Sequence, residues 1–194
     1  MKQTPVHENH NPDLLAAIPE SAKFIVEVGC SSGALAREFK KNNASAKYVG
    51  IEIDEEYSIL AKRYCDETYL CNIENANEDL WGKLAQADCW IFGDTLEHFQ
   101  DPWRILHKIH NQLPKTGSVV CCIPNAQHWS LQVKLTVGEF RYEESGLLDK
   151  THLRWFTRKT LLELFDQTGF EITKISLRIF VEPGRDDFLG LLQR

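Results

Sequence analysis

The stretch VEVGCSSGALAREF, residues 26–39, decides the fold. An apolar run ends at Glu27-Val28-Gly29, a turn of small residues closes at Gly33, and a helix-period pattern follows. Strand, glycine-bearing turn and helix in this order open a parallel α/β sheet. Glycines at such a turn let the chain bend tightly and let a ligand approach the backbone. The spacing here is not the dinucleotide fingerprint G-x-G-x-x-G. A dinucleotide lays an anionic pyrophosphate on the helix N-terminus. Glu27 would repel that group and attract an ammonium or sulfonium instead.

Outward from this turn the pattern repeats. KFIVEV reads as a buried strand and GALAREFKKN as a helix. AKYVGIEI is a second strand, and Asp54 caps a helix running to about Tyr64. TYLCNI is a third strand, a looser helix spans Asn77 to Leu84, and DCWIFG is a fourth strand. Pro102 opens the helix PWRILHKIHNQL, and the turn PKTG leads to the fifth strand, SVVCCI. Upstream, Asn11-Pro12-Asp13 caps a short helix through Ile18. Strand and helix alternate five times, and the strands are apolar nearly throughout. That is the signature of a doubly wound, Rossmann-like, mostly parallel sheet with helices on both faces.

After Ile123 the rhythm changes. Residues 124–156 read as an insertion rich in aromatic and histidine residues, TRKTLLELFDQTGF as a capped helix stopped by Gly169, and EITKISLRIF as a sixth strand. EPGRDDFLGLLQR looks like a capped helix that is cut off, which suggests a truncated chain or one domain of a longer one.

The 194 residues fit a single domain. A net charge of −6 without any Lys/Arg-rich run argues against general nucleic-acid binding. No signal peptide and no apolar segment of membrane-spanning length is found, so a cytoplasmic location is expected. Six cysteines without a C-x-x-C pair read as free thiols in the core.

In open parallel sheets ligands bind beyond the carboxyl ends of the strands. Glu52 ends the second strand about 20 residues past Gly33, where an acid can accept from ribose hydroxyls. Two carboxylates around a nucleoside that bears an amino acid suggest S-adenosylmethionine as cofactor.

These motifs resemble class I S-adenosylmethionine-dependent methyltransferases over most of the chain. VEVGCSSG resembles the family's first motif, D/E-x-G-x-G-x-G, with Ser31 in place of its middle glycine. By that resemblance Glu27, Gly29, Cys30, Ser31 and Gly33 surround the cofactor. YVGIEID resembles the second motif, so Glu52 would hold the ribose and Ile53 would pack on adenine. LCNIEN implies that Asn72 accepts from the adenine amino group, beside Ile73. WIFGDTLEHFQDP implies that Gly93, Asp94 and Leu96 line the methionine end. The family's seventh strand is either missing or lies beyond Arg194.

NPDLL, IPNAQHWS and GLLDKTHLRWFT together resemble bacterial methyltransferases found with glycosyltransferases in surface-polysaccharide clusters. That resemblance implies glycan biosynthesis, a sugar or other small-molecule acceptor, and a glycosyltransferase as partner or fused domain. Residues 124–156 would then form the acceptor pocket and lid.

A hydroxyl acceptor needs a general base as the methyl moves, and histidine is the natural one. His98 in LEHF, His128 in NAQHW and His152 in DKTHLRW are the candidates. Asp149, three residues before His152, could orient that ring. No spacing demands a metal: Glu97, His98 and Asp149 could gather one only through the fold, and none is expected. Three rivals stay open: a methyltransferase for a small aromatic or quinone-like metabolite, a non-catalytic cofactor-binding module, and a nicotinamide-dependent oxidoreductase, which Glu27 disfavours.

Overall fold

The computed structural model describes residues 8–178. Five parallel strands form one sheet: β1 (Phe24–Val28), β2 (Lys47–Glu52), β3 (Glu67–Leu70), β4 (Cys89–Gly93) and β5 (Ser118–Cys122), in the order β3-β2-β1-β4-β5. The strand order reverses beside β1, so the carboxyl ends of β1, β2 and β4 converge on one crevice. Val28 stands opposite Ile51 on β2 and Phe92 on β4, which fixes how those ends line up.

Alternation along the strands divides the core into two layers. Val26, Val28, Trp90 and Phe92 point to the face covered by α4 (Glu78–Leu84), α5 (Pro102–Gln112) and α7 (Arg158–Gln167). Ile25, Tyr48, Cys89 and Ile91 point to the face covered by α1 (Pro12–Ala17), α2 (Ala34–Asn42) and α3 (Glu55–Ala61). The fold is therefore doubly wound, as the buried strands require. Cys30, Cys65 and Cys89 are buried, and all six cysteines are free thiols.

Local signals set most boundaries. Asn11, Asp54, Asn77 and Asp101 each accept from backbone N–H groups at the start of the following helix. Thr157 and Thr160 form a reciprocal capping pair at the start of α7.

Three expectations are corrected. The third strand ends at Leu70, because the Asn72 side chain accepts from the Glu74 amide at 2.8 Å and folds Ile73–Asn75 into a 3₁₀ turn. Residues 171–178 form no strand: their alternating pattern defines two faces, yet a strand also needs a partner ladder, and their backbone joins none of the five in the sheet. The insertion also holds a helix that the sequence did not announce, α6 (Trp129–Thr136), with His128 as its N-cap. The cut-off helix of EPGRDDFLGLLQR lies outside the described residues.

Candidate active site

The turn after β1 is built by backbone contacts. The amides of Gly29 and Cys30 both donate to the Ile51 carbonyl, at 2.8 and 3.2 Å, carrying the β1–β2 pairing one step past the strand. Gly29 takes φ +74°, and a Cβ there would stand 2.7 Å from the Thr95 hydroxyl oxygen. That hydroxyl bridges the Val28 and Gly93 carbonyls, tying the ends of β1 and β4 together. Gly33 takes φ +78° and starts α2 against the backbone of Ala61. Ser31, where the resembled motif has glycine, sits at φ +48°, a left-handed conformation that non-glycine residues adopt at a cost. Asp94 is also left-handed, at φ +50°.

Ser31 is held there by an acid. Its amide donates to Glu52 Oε2 at 2.8 Å, while Glu52 Oε1 accepts from Ile53 at 2.8 Å and Asp54 at 3.0 Å. Glu52 is only 2% exposed. Three of a carboxylate's roughly four lone-pair sites are thus occupied. One site is left for a further donor. Ile53, beside it, is 55% exposed at the cleft.

Glu27 faces the α1–α3 side and is 6% exposed. Its Oε2 accepts from the Tyr48 hydroxyl at 2.8 Å. Burial pushes its pKa up to about 8, the Tyr48 hydroxyl opposes that rise, and the charge of Glu52 adds to it. A carboxyl so raised gains from a cation placed beside it. Both acids are buried in the fold rather than turned outward.

Glu27, Gly29, Cys30, Ser31, Glu52, Ile53, Asn72, Ile73, Gly93 and Asp94 all line one continuous cleft. Gly33 sets the turn from behind. Leu96 does not line the cleft: its side chain is fully buried in the core against the α4–α5–α7 layer, so its predicted place at the cofactor is corrected. The Asn72 side-chain oxygen is already used as a cap, which leaves its amide NH₂ as the simpler ligand contact.

The same cleft is lined by His98, His128, Asp149 and His152. His128 Nδ1 meets Ser130 at the start of α6, at 2.8 Å to the hydroxyl and 3.4 Å to the amide, so this ring serves first as a helix cap. Asp149 does not hydrogen-bond the His152 ring, against expectation: Thr151 donates to it instead, through the amide at 2.8 Å and the hydroxyl at 2.6 Å. The histidine that Thr151 reaches is His98, whose Nδ1 lies 3.2 Å from the Thr151 carbonyl and 3.1 Å from its hydroxyl. A carbonyl only accepts, so His98 Nδ1 is the donor in this contact, and the neutral ring carries its lone pair on Nε2. His152 repeats the arrangement, with Nδ1 3.3 Å from the Leu147 carbonyl. The two rings meet edge to face at 4.8 Å. Burial, and then the neighbouring His98, lower the pKa of His152, with Asp149 opposing.

Glu97 completes the cluster. It is 2% exposed, neither carboxylate oxygen has a hydrogen-bond partner, and Oε1 lies 4.0 Å from His152 Nε2. Burial raises its pKa well above the carboxylate range, and the charges of Asp94 and Asp149 add to the rise. Sequence reasoning placed Glu97 only in a metal alternative and passed over Thr151, Tyr48 and Thr95. The D-x-T-H run at 149–152 was the available signal for Thr151.

Of the aromatic residues in the insertion, Trp129 lines the cleft and Phe156 is buried in the core. Phe140, Tyr142 and Trp155 gather in an exposed group with ring centroids 5.8–6.5 Å apart, away from the cleft.

This fold and crevice define a class: a doubly wound α/β domain with a glycine turn after β1 and buried acids on β1 and β2 that line the crevice. The chain belongs to the methyltransferase-domain family, whose model matches residues 8–175. A malonyl-[acyl-carrier protein] O-methyltransferase of Brevibacillus brevis is 25% identical over 174 residues, covering 86% of this chain and 62% of that protein. The plantazolicin methyltransferase BpumL, solved in complex with SAH, superposes with a TM-score of 0.61 at 16% identity, over 81% of this chain and 59% of that one. A SAM-dependent methyltransferase from Archaeoglobus fulgidus gives 0.59 at 13% identity, over 89% and 77%. The chain thus spans about three fifths of the length of the first two. Among the described residues no helix is long and apolar enough to cross a membrane.

Proposed function

We propose that this chain transfers the methyl group of S-adenosylmethionine to a hydroxyl of a sugar or glycan intermediate. Family membership and the buried Glu27–Glu52 pair support the donor: Glu52 takes a ribose hydroxyl, Glu27 faces the cationic methionine end, and Ile53 lies against the adenine. Residues 124–156 bound the acceptor side, and a glycosyltransferase, as partner or fused domain, supplies or consumes the acceptor.

The protein's part in the chemistry is alignment and proton removal. As the new carbon–oxygen bond forms, the carbon–sulfur bond breaks and its electron pair stays on sulfur. The hydroxyl proton leaves to the Glu97–His98–His152 cluster, where His98 Nε2, positioned by Thr151, is the group disposed to take it. The observation that carries this reading is the convergence of Glu97, His98 and His152 in the same cleft as the two-acid turn. The carboxylates of Asp94 and Asp149 at this end disfavour an anionic acceptor, such as the carboxyl group of a malonyl thioester.

Incubation with methyl-labelled S-adenosylmethionine and a panel of free sugars, nucleotide sugars, phenols, amines and carboxylates tests it. Label in an ether of a sugar hydroxyl is expected. Label only in a phenol or an amine overturns the acceptor, and no turnover despite cofactor binding favours a binding module.

A further inference from the structure

We infer that Glu97, His98 and His152 form a binding site for a divalent first-row transition-metal ion. The inference rests on reading this cluster as the acceptor end of the site. The three side chains each offer one donor atom, all within 4.8 Å of one another. Glu97 is almost completely buried, yet both its oxygens lack a hydrogen-bond partner. A buried carboxylate left in this state is costly unless a cation or a proton meets it. The backbone of Glu97 is fixed from the other side, since its carbonyl accepts from Leu153 at 2.8 Å and Arg154 at 2.9 Å.

The histidines are prepared in the way metal ligands are. Each holds its Nδ1 against a backbone carbonyl, Thr151 for His98 and Leu147 for His152, which leaves Nε2 as the nitrogen free to bind. A carbonyl or carboxylate on the far nitrogen is the usual outer support of a metal-bound imidazole. Asp149, through the Thr151 hydroxyl, extends that support behind His98. Ligands 2.0–2.1 Å from an ion stand roughly 3.3 Å apart in tetrahedral geometry. The 4.0 Å between His152 Nε2 and Glu97 Oε1, and the 4.8 Å bound on the whole cluster, would have to close toward that spacing as an ion bound.

Two imidazoles with one carboxylate favour zinc, cobalt or manganese over magnesium or calcium, which prefer oxygen ligands throughout. Three protein ligands leave positions open for an acceptor oxygen. An ion held by these three residues would lower the pKa of a hydroxyl bound at an open position, whose proton would leave to solvent while the oxygen attacked the methyl carbon and sulfur kept the bond pair. With the ion in place the histidines act as ligands rather than bases.

The test is titration of the purified chain with Co²⁺, followed by absorption spectroscopy and by metal analysis after dialysis. One ion per chain is expected, with a d–d spectrum free of thiolate charge transfer, which would otherwise betray the cysteines. Glu97→Gln and His152→Ala should each weaken binding tenfold or more. Absence of stoichiometric binding, thiolate-type coordination, or unchanged binding in both variants overturns the inference. If a variant fails to melt cooperatively, the wild-type spectrum decides: nitrogen and oxygen ligands support the site, sulfur ligands refute it. Cofactor affinity and sugar methylation measured on the same sample separate the two readings. Methylation without Co²⁺ binding removes the ion alone, and Co²⁺ binding without sugar methylation removes the acceptor assignment alone.

Discussion

Replacing Glu27 by glutamine should stabilise the ligand-free protein while weakening its hold on the cofactor. The side chain is buried, with its pKa pushed up from 4.5 to about 8. An acid whose folded pKa is raised contributes stability that is full below the unfolded value and is lost as pH rises toward the folded one. Here the loss runs from pH 4.5 to about 8. At pH 7 it amounts to about 3 kcal/mol, from some 2.5 pH units at 1.36 kcal/mol each. Glutamine keeps the shape, can still accept from the Tyr48 hydroxyl, and has no charge to bury. Thermal melting of both proteins from pH 4.5 to 8 should show curves that coincide in acid and separate with rising pH. At pH 7 the variant should melt roughly 6–12 °C higher, at about 2–4 °C per kcal/mol for a chain of this size. Calorimetry should show the opposite order for S-adenosylmethionine, with wild-type affinity rising from pH 6 to 7.5 and that of the variant flat. A melting gap that does not change with pH would refute the assignment of a strained buried carboxyl at position 27.

Further outcomes follow from the same geometry. Glu52→Ala should weaken cofactor binding by about 1.5–3 kcal/mol, the usual loss for a charged acceptor, and calorimetry giving equal affinity would remove the ribose contact. Ser31→Gly should raise stability to urea by about 0.5–1 kcal/mol, because glycine takes a positive φ without strain; a loss of stability would mean that the Ser31 side chain is needed there. Thr151→Val, which removes the hydroxyl between Asp149 and His98, should lower kcat about tenfold or more and leave cofactor affinity unchanged. Equal kcat in that variant would show that the link positions nothing.

Much of the architecture was legible because its signals are local. Asp54, Asn77, Pro102 and Thr157 mark helix starts within one turn, and the largely apolar runs of β1, β2, β4 and β5 announce parallel strands. The legibility fails where partners are distant or absent. The pattern of residues 171–178 is as regular as any strand's, but pairing depends on an edge that no local rule supplies. Leu96 follows the β4 turn in a motif-like run, yet a 3₁₀ turn over Leu96–His98 rotates it into the core. Position 72 reads as strand from its neighbours, while Asn72 caps a turn.

The site divides in the same way. Glu27 and Glu52 follow from strand ends and charge. The Tyr48 contact that shares Glu27's burial spans 21 residues, and the link from His98 to Thr151 spans 53. Such contacts are products of the folded sheet and insertion, so the sequence offered His152 with Asp149, and the fold instead joins Asp149 to His98 through Thr151.

The most direct test of the central claim, a cationic nucleoside held by two buried acids, is a crystal structure with S-adenosylhomocysteine bound. A ribose hydroxyl on Glu52 and the amino-acid ammonium turned toward Glu27 are expected. A ligand seated elsewhere, with both carboxylates keeping only their present protein partners, would contradict the account.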